Sequence, residues 1–224
     1  MNRMMSVAIA ASLALVASPG AQDHKMKLGE ILVFTPSPSK PETASKAYAL
    51  QADRGSRKGQ YLVVTTAEAK AGGTSVGPQS SEYHLLSPDK VGALPEVDVL
   101  GIHYIKVRPD RRDAFERFVS EKIHPAVGRL RPDLRLLYYR AVRGPDAGSY
   151  ITVFALTRAS RDKYWPGGSD SDVLRAAFKP VQGLTTELSS YLVEGSALTD
   201  RKFAAAVYES REWTDFVLMP PAGR

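Results

Sequence analysis

Arg54-Gly55-Ser56-Arg57-Lys58-Gly59-Gln60-Tyr61-Leu62-Val63-Val64 and Arg143-Gly144-Pro145-Asp146-Ala147-Gly148-Ser149-Tyr150-Ile151-Thr152-Val153 share one pattern, Arg-Gly-x-x-x-Gly-x-Tyr followed by an aliphatic run, at a constant offset of 89 residues. Each is preceded by a strand-like stretch, Lys46 to Ala52 in the first and Leu134 to Val142 in the second. The pattern predicts a β-hairpin. Glycine at both ends of a tight turn supplies the positive φ that a Cβ would penalise. The tyrosine re-enters the sheet, where an aromatic ring packs well on the pleated surface. Arginine, both glycines and tyrosine in register point to an internal duplication.

Working outward, the second copy is the more complete. Val97 to Val107 alternates near its end and reads as a strand. Pro109-Asp110 stops it, and Asp110 with Asp113 resembles a capping box. Phe115, Phe118, Val119, Ile123, Ala126, Val127 and Leu130 then form one apolar stripe, so a helix is expected over Asp110 to Leu130, kinked at Pro125. After the hairpin, Arg158 to Tyr164 is a polar stretch and Trp165-Pro166-Gly167-Gly168 a loop. Ser169 to Asp172 can cap a second helix whose stripe runs from Val173 to Leu188, broken at Pro180 and Gly183. Ser190 to Glu194 reads as a strand, followed by a short helical piece near Phe203 to Val207 and a last strand at Phe216 to Met219.

Strand, helix, strand, strand, helix, strand is the split βαβ, ferredoxin-like unit. The expected fold class is therefore α+β: tandem ferredoxin-like units with antiparallel sheets, the first degenerate, whose uncovered sheet faces must meet. In the first copy the strands fall at Lys27 to Phe34, the hairpin, and Tyr83 to Leu86. Its helix slots, Ser37 to Ser45 and Ala67 to Ser80, are rich in Pro, Gly and Ser and predict short helices or loop.

Met1 to Met5 carries one positive charge, Val7 to Ala17 is apolar, and Ser18-Pro19-Gly20-Ala21 is small, before charges begin at Asp23. That order reads as a signal peptide over 1–21, and the apolar run is too short for a membrane span. The expectation is a bacterial protein exported to the periplasm or outside, with no stable membrane anchor. Residues 22–96 then form the degenerate half and 97–224 the complete one. The chain has no cysteine, so packing alone must hold it together. Its formal net charge of +6 is dispersed, with no run of five like charges, which argues against nucleic acid as a partner.

Gly101-Ile102-His103-Tyr104-Ile105-Lys106-Val107-Arg108-Pro109, opening into the 110–130 helix, and Leu137-Tyr138-Tyr139 with its hairpin resemble the antibiotic biosynthesis monooxygenase-like members of the dimeric α/β-barrel superfamily. Arg161-Asp162-Lys163-Tyr164-Trp165-Pro166 is similar to a segment of secreted, uncharacterised relatives. The resemblance covers about 97–194, with a weak echo over 27–98. It implies two units closing a barrel sheet to sheet, within one chain or between two in a homodimer. It also implies a choice among cofactor-independent monooxygenases, haem-handling enzymes and members without known activity, which fold alone does not settle.

No histidine pair has metal-ligand spacing and there is no cysteine, so no metal is expected. No nucleophile elbow occurs, and Gly55-x-x-x-Gly59 lacks the ending of a phosphate loop. Four residues remain as ligand-binding candidates. His103 lies on the first clean strand, either as a hydrogen-bonded strand residue or as a base or haem ligand. Tyr138 and Arg140 share one strand face, with Tyr139 on the other. Trp165 either lids a pocket or anchors its loop by burial. His124, before Pro125, reads as a helix-end residue satisfying a carbonyl. The leading expectation is an exported barrel, without a cofactor, that binds a small apolar or aromatic ligand. A solidly filled barrel interior would count against that ligand. The alternatives are a monooxygenase-like or haem-handling enzyme and an assembly module.

Overall fold

The computed structural model of the chain describes residues 25–41, 47–67, 77–127, 131–193 and 213–220. The signal-peptide segment, the helical piece near Phe203 to Val207 and most of the first copy's helix slots lie outside the described residues. The strands are β1 (Met26–Lys27), β2 (Ile31–Ser37), β3 (Ala47–Gly55), β4 (Tyr61–Ala67), β5 (Ser81–Leu85), β6 (Glu96–Val97), β7 (Val99–Ile105), β8 (Arg135–Arg143), β9 (Tyr150–Leu156) and β10 (Trp213–Leu218). The α-helices are α1 (Arg112–Phe118), α2 (His124–Val127), α3 (Arg158–Tyr164), α4 (Asp172–Phe178) and α5 (Gln182–Ser189).

Eight strands form a closed antiparallel barrel in the order β10-β3-β4-β2-β5-β8-β9-β7, and β10 pairs with β7 to complete the ring within one chain. Strands β1 and β6 make a separate two-stranded ribbon. The ring repeats itself: β5-β2-β4-β3 is followed by β10-β7-β9-β8, the same order of fourth, first, third and second strand in each half. Details repeat too. Register shifts fall between Glu82 and Tyr83 on β5 and between Asp215 and Phe216 on β10.

Both glycine-bracketed hairpins form. Gly55, Gly59, Gly144 and Gly148 have φ of 90°, 87°, 87° and 84°. The first glycine of each pair also allows a close approach to the other half. A Cβ on Gly55 would stand 2.2 Å from the Trp213 carbonyl oxygen, and one on Gly144 2.0 Å from that of Ser80. Each turn then reaches the next residue of the facing strand: Arg57 N–H donates to Thr214 Oγ1 at 3.3 Å, and Asp146 N–H to Ser81 Oγ at 3.1 Å.

Alternation sends one face of every strand into the barrel. Leu32, Leu50, Val64, Tyr83, Leu100, Tyr139, Val153 and Phe216, one from each strand, belong to a single buried cluster that fills the interior. Tyr139 is satisfied there by donating its hydroxyl to the Gly29 carbonyl at 3.1 Å.

Among the described residues, the five α-helices follow strands of the second half. The expected 110–130 helix is segmented: α1 passes through a π-helical turn, Val119–Ile123, into α2. Pro125 explains the widening, because its ring cannot share a regular turn with the carbonyl four residues back. The polar stretch after β9 is a helix, α3, capped by Thr157, which accepts from Ser160 N–H. Ser171 caps α4 by accepting from Leu174 N–H. Of the expected strand at Ser190 to Glu194, the described residues 190–193 form a turn and a single bridge, Val107 to Leu192, in place of a strand. Trp213–Leu218 takes the fourth place in the second half instead, because its six residues are all buried between β3 and β7.

Candidate functional site

Strand register places four outward-facing side chains of the second half on one rung. Trp213 pairs with His103, His103 with Thr152, and Thr152 with Tyr138. All four line a cavity of about 600 Å³ between this sheet face and helices α4 and α5. Phe154 and Leu136 form the next rung of the sheet wall. Trp165 closes one side, and Leu174, Phe178 and Leu188 face the sheet from the helices. Half of the lining residues are polar. His103, Thr152 and Tyr138 stand on the sheet, Asp170 on the loop before α4, and Arg175, Lys179, Gln182 and Thr185 along the helices.

His103 is completely buried, with its ring 5.8 Å from that of Trp213. The Trp213 indole is held in turn by Asp215, whose Oδ1 accepts its N–H at 3.0 Å. Trp213 can lie flat across β7 because residue 101 is glycine: a Cβ there would stand 3.0 Å from Trp213 Cζ2 and 3.1 Å from Asp215 Oδ1. Trp165 is 2 % exposed and packs edge-on against Phe154 with ring centroids 5.1 Å apart. It therefore anchors its loop by burial and lines the cavity as well. Gly167 and Gly168, with φ of 63° and 92°, turn that loop so that Asp170 comes back beside Trp165. Burial raises the Asp170 carboxyl, while Trp165 and Arg175 act to lower it. Burial alone raises the Tyr138 hydroxyl well above the usual tyrosine range, and among the described residues it has no hydrogen-bond partner.

Three of the four candidates, His103, Tyr138 and Trp165, thus meet at one cavity. Arg140 does not. It lies two residues beyond Tyr138 on the same face, past the end of the cavity, and its Nη1 donates to Glu116 Oε1 at 3.1 Å. Glu116 also accepts from the Tyr150 hydroxyl at 2.6 Å, so the arginine serves a contact between α1 and the sheet. The expectation of a ligand inside the barrel is corrected as well. The interior is filled by side chains from all eight strands, and the cavity lies on the outer, helix-covered face. His124 is no helix-end donor: its ring is buried against Tyr138 at 5.9 Å, with neither nitrogen hydrogen-bonded.

Sequence reasoning missed Trp213, Phe154 and the α4–α5 residues. The 89-residue offset carries a usable signal. It aligns Tyr138 with Ala49 and Thr152 with Val63, so the second copy bears larger or more polar groups where the first is small and aliphatic. Among the described residues no group of three His, Asp or Glu is placed to hold a metal ion, and no helix is long and apolar enough to cross a membrane.

No protein-family model matches the chain, and no curated protein matches it. Among solved structures, the crystal structure of an anthrone oxidase-like protein is similar, with a TM-score of 0.43 and 11 % identity over 86 % of this chain and 93 % of that one. A likeness of that degree assigns neither family nor activity.

Proposed function

We propose that this chain is an exported binding protein whose ligand, a small apolar or aromatic molecule, occupies the cavity between the second-half sheet and α4–α5. The observation that carries this is the cavity itself. About 600 Å³ bordered by Trp165, Trp213, Phe154 and Phe178, with polar groups on the sheet and along the helices, has the size and lining of a small-molecule site. The repeated strand order supports the companion reading of two ferredoxin-like units in one chain, in the manner of the antibiotic biosynthesis monooxygenase-like α/β barrels.

The chain has two tryptophans, and both line the cavity, so fluorescence excited selectively at tryptophan, over the ten tyrosines, reports on this site. Titration with naphthalene- and quinone-based probes is expected to give saturable quenching. The absence of saturable quenching or binding heat with every probe would overturn the proposal. Export is tested separately by cell fractionation with N-terminal sequencing, where a periplasmic product starting near Asp23 is expected and a cytoplasmic product with Met1 intact would refute it.

A second reading, oxidative chemistry on the bound ligand or haem held by His103, is favoured by one observation: a buried imidazole on the cavity wall with Arg175 and Lys179 opposite. Haem, if held, would be ligated at its iron by His103 and would supply redox chemistry. Adding haemin to the purified protein is expected to shift the Soret band if this reading holds. An unchanged band removes it.

A further inference from the structure

On its helical side the cavity opens to solvent at a cationic rim of exposed residues. Arg175 and Lys179 are four residues apart across α4 and the turn that follows, and both line the cavity, with Gln182 continuing the stripe. Like charges at this spacing destabilise a helix. Arg175 is neutralised locally: its Nη2 lies 2.6 Å from Asp172 Oδ1, and its Nη1 donates to the Asp170 carbonyl at 2.7 Å. Lys179 has no acidic partner among the described residues. The acid of the lining, Asp170, lies beside Trp165. The opposite wall is aromatic.

Resting on the binding reading above, we infer that the ligand is an aromatic carboxylate or similar aromatic anion, its ring against Trp165, Trp213 and Phe154 and its charge at Lys179. The Lys179 ammonium supplies the counter-charge, and the Gln182 amide and Thr185 hydroxyl offer further hydrogen bonds along the same rim. Cation and apolar wall on opposite sides of one cavity select a molecule with both characters. A neutral arene forgoes the charge contact, and an aliphatic anion forgoes the rings.

The test compares 2-naphthoate with its neutral amide, 2-naphthamide, by calorimetry on the mature chain. Naphthoate is expected to bind about 1.5- to 5-fold tighter, the range of an exposed ion pair. That preference should vanish in Lys179→Met and shrink in about 0.5 M salt. Equal affinity of the two probes for the wild-type chain, or an undiminished preference in Lys179→Met, overturns the inference and leaves the binding reading standing. Failure of both probes to bind overturns the two together. The wild-type comparison depends on no variant's folding.

Discussion

Trp213 donates its indole N–H to Asp215 two residues along the same strand, at 3.0 Å and out of contact with solvent. A buried carboxylate is expensive unless it is paired, and here it fixes the orientation of a cavity-lining ring. Asp215→Leu is expected to cost about 1–3 kcal/mol by stranding the indole donor. Gly101→Ala should cost a similar amount, about 1–3 kcal/mol, because its Cβ crowds the same pair. Urea unfolding checks the loss, and tryptophan emission in a Trp165→Phe background checks that Trp213 has moved.

The two hairpins make a graded test of backbone strain. Gly55→Ala, Gly144→Ala and Gly59→Ala all place a side chain at positive φ, but only the first two drive it into facing backbone. Gly59→Ala is expected to cost about 1 kcal/mol, the price of the conformation alone. Each of the other two should cost at least about 2–3 kcal/mol more, from the forced separation of the strands. Denaturation midpoints of the three variants decide the order.

His124 should make stability depend on pH. Burial lowers its imidazole to about 4, with Arg135 pushing the same way, against 6.5 for the free group. The unfolded chain therefore takes up the proton first as pH falls. Full stability from this group is present above about 6.5 and is lost as pH falls toward about 4. Between about pH 7.5 and pH 5 the expected loss is about 2 kcal/mol. His124→Phe should flatten that part of the profile, which unfolding at the two pH values measures.

Tyr83 of the first half donates its hydroxyl to Asp146 Oδ2 of the second hairpin at 2.6 Å. The first hairpin answers with Arg57, whose Nη1 donates to the Tyr104 hydroxyl at 2.9 Å with the guanidinium carbon 4.1 Å from the ring centroid. Tyr83→Phe and Arg57→Met are each expected to cost about 1 kcal/mol. Arg57 and Tyr104 both act electrostatically on Tyr83, so the double variant should depart from additivity. A double-mutant cycle of unfolding free energies measures this.

The hairpins are legible in the sequence because glycine at positive φ is a local requirement that the chain must write explicitly. The strand faces of Tyr138, Arg140 and Tyr139 follow from alternation alone. The location of the cavity is not legible, because it depends on how far α4 and α5 stand from the sheet, a distance between elements remote in the chain. Arg140 shows the limit: it shares Tyr138's face, but which end of that face is covered by α1 is a tertiary matter. The fourth strand of the second half is misplaced for a similar reason. Ser190 to Glu194 has the local character of a strand, yet β3 and β7 together bury Trp213–Leu218 more completely.

β10 is the last strand of the ring to be synthesised, and it is bonded on both sides. Until it emerges from the ribosome, β3 and β7 each present an open edge, the surface on which chains join to one another. A product truncated before Trp213 would carry two such edges at once.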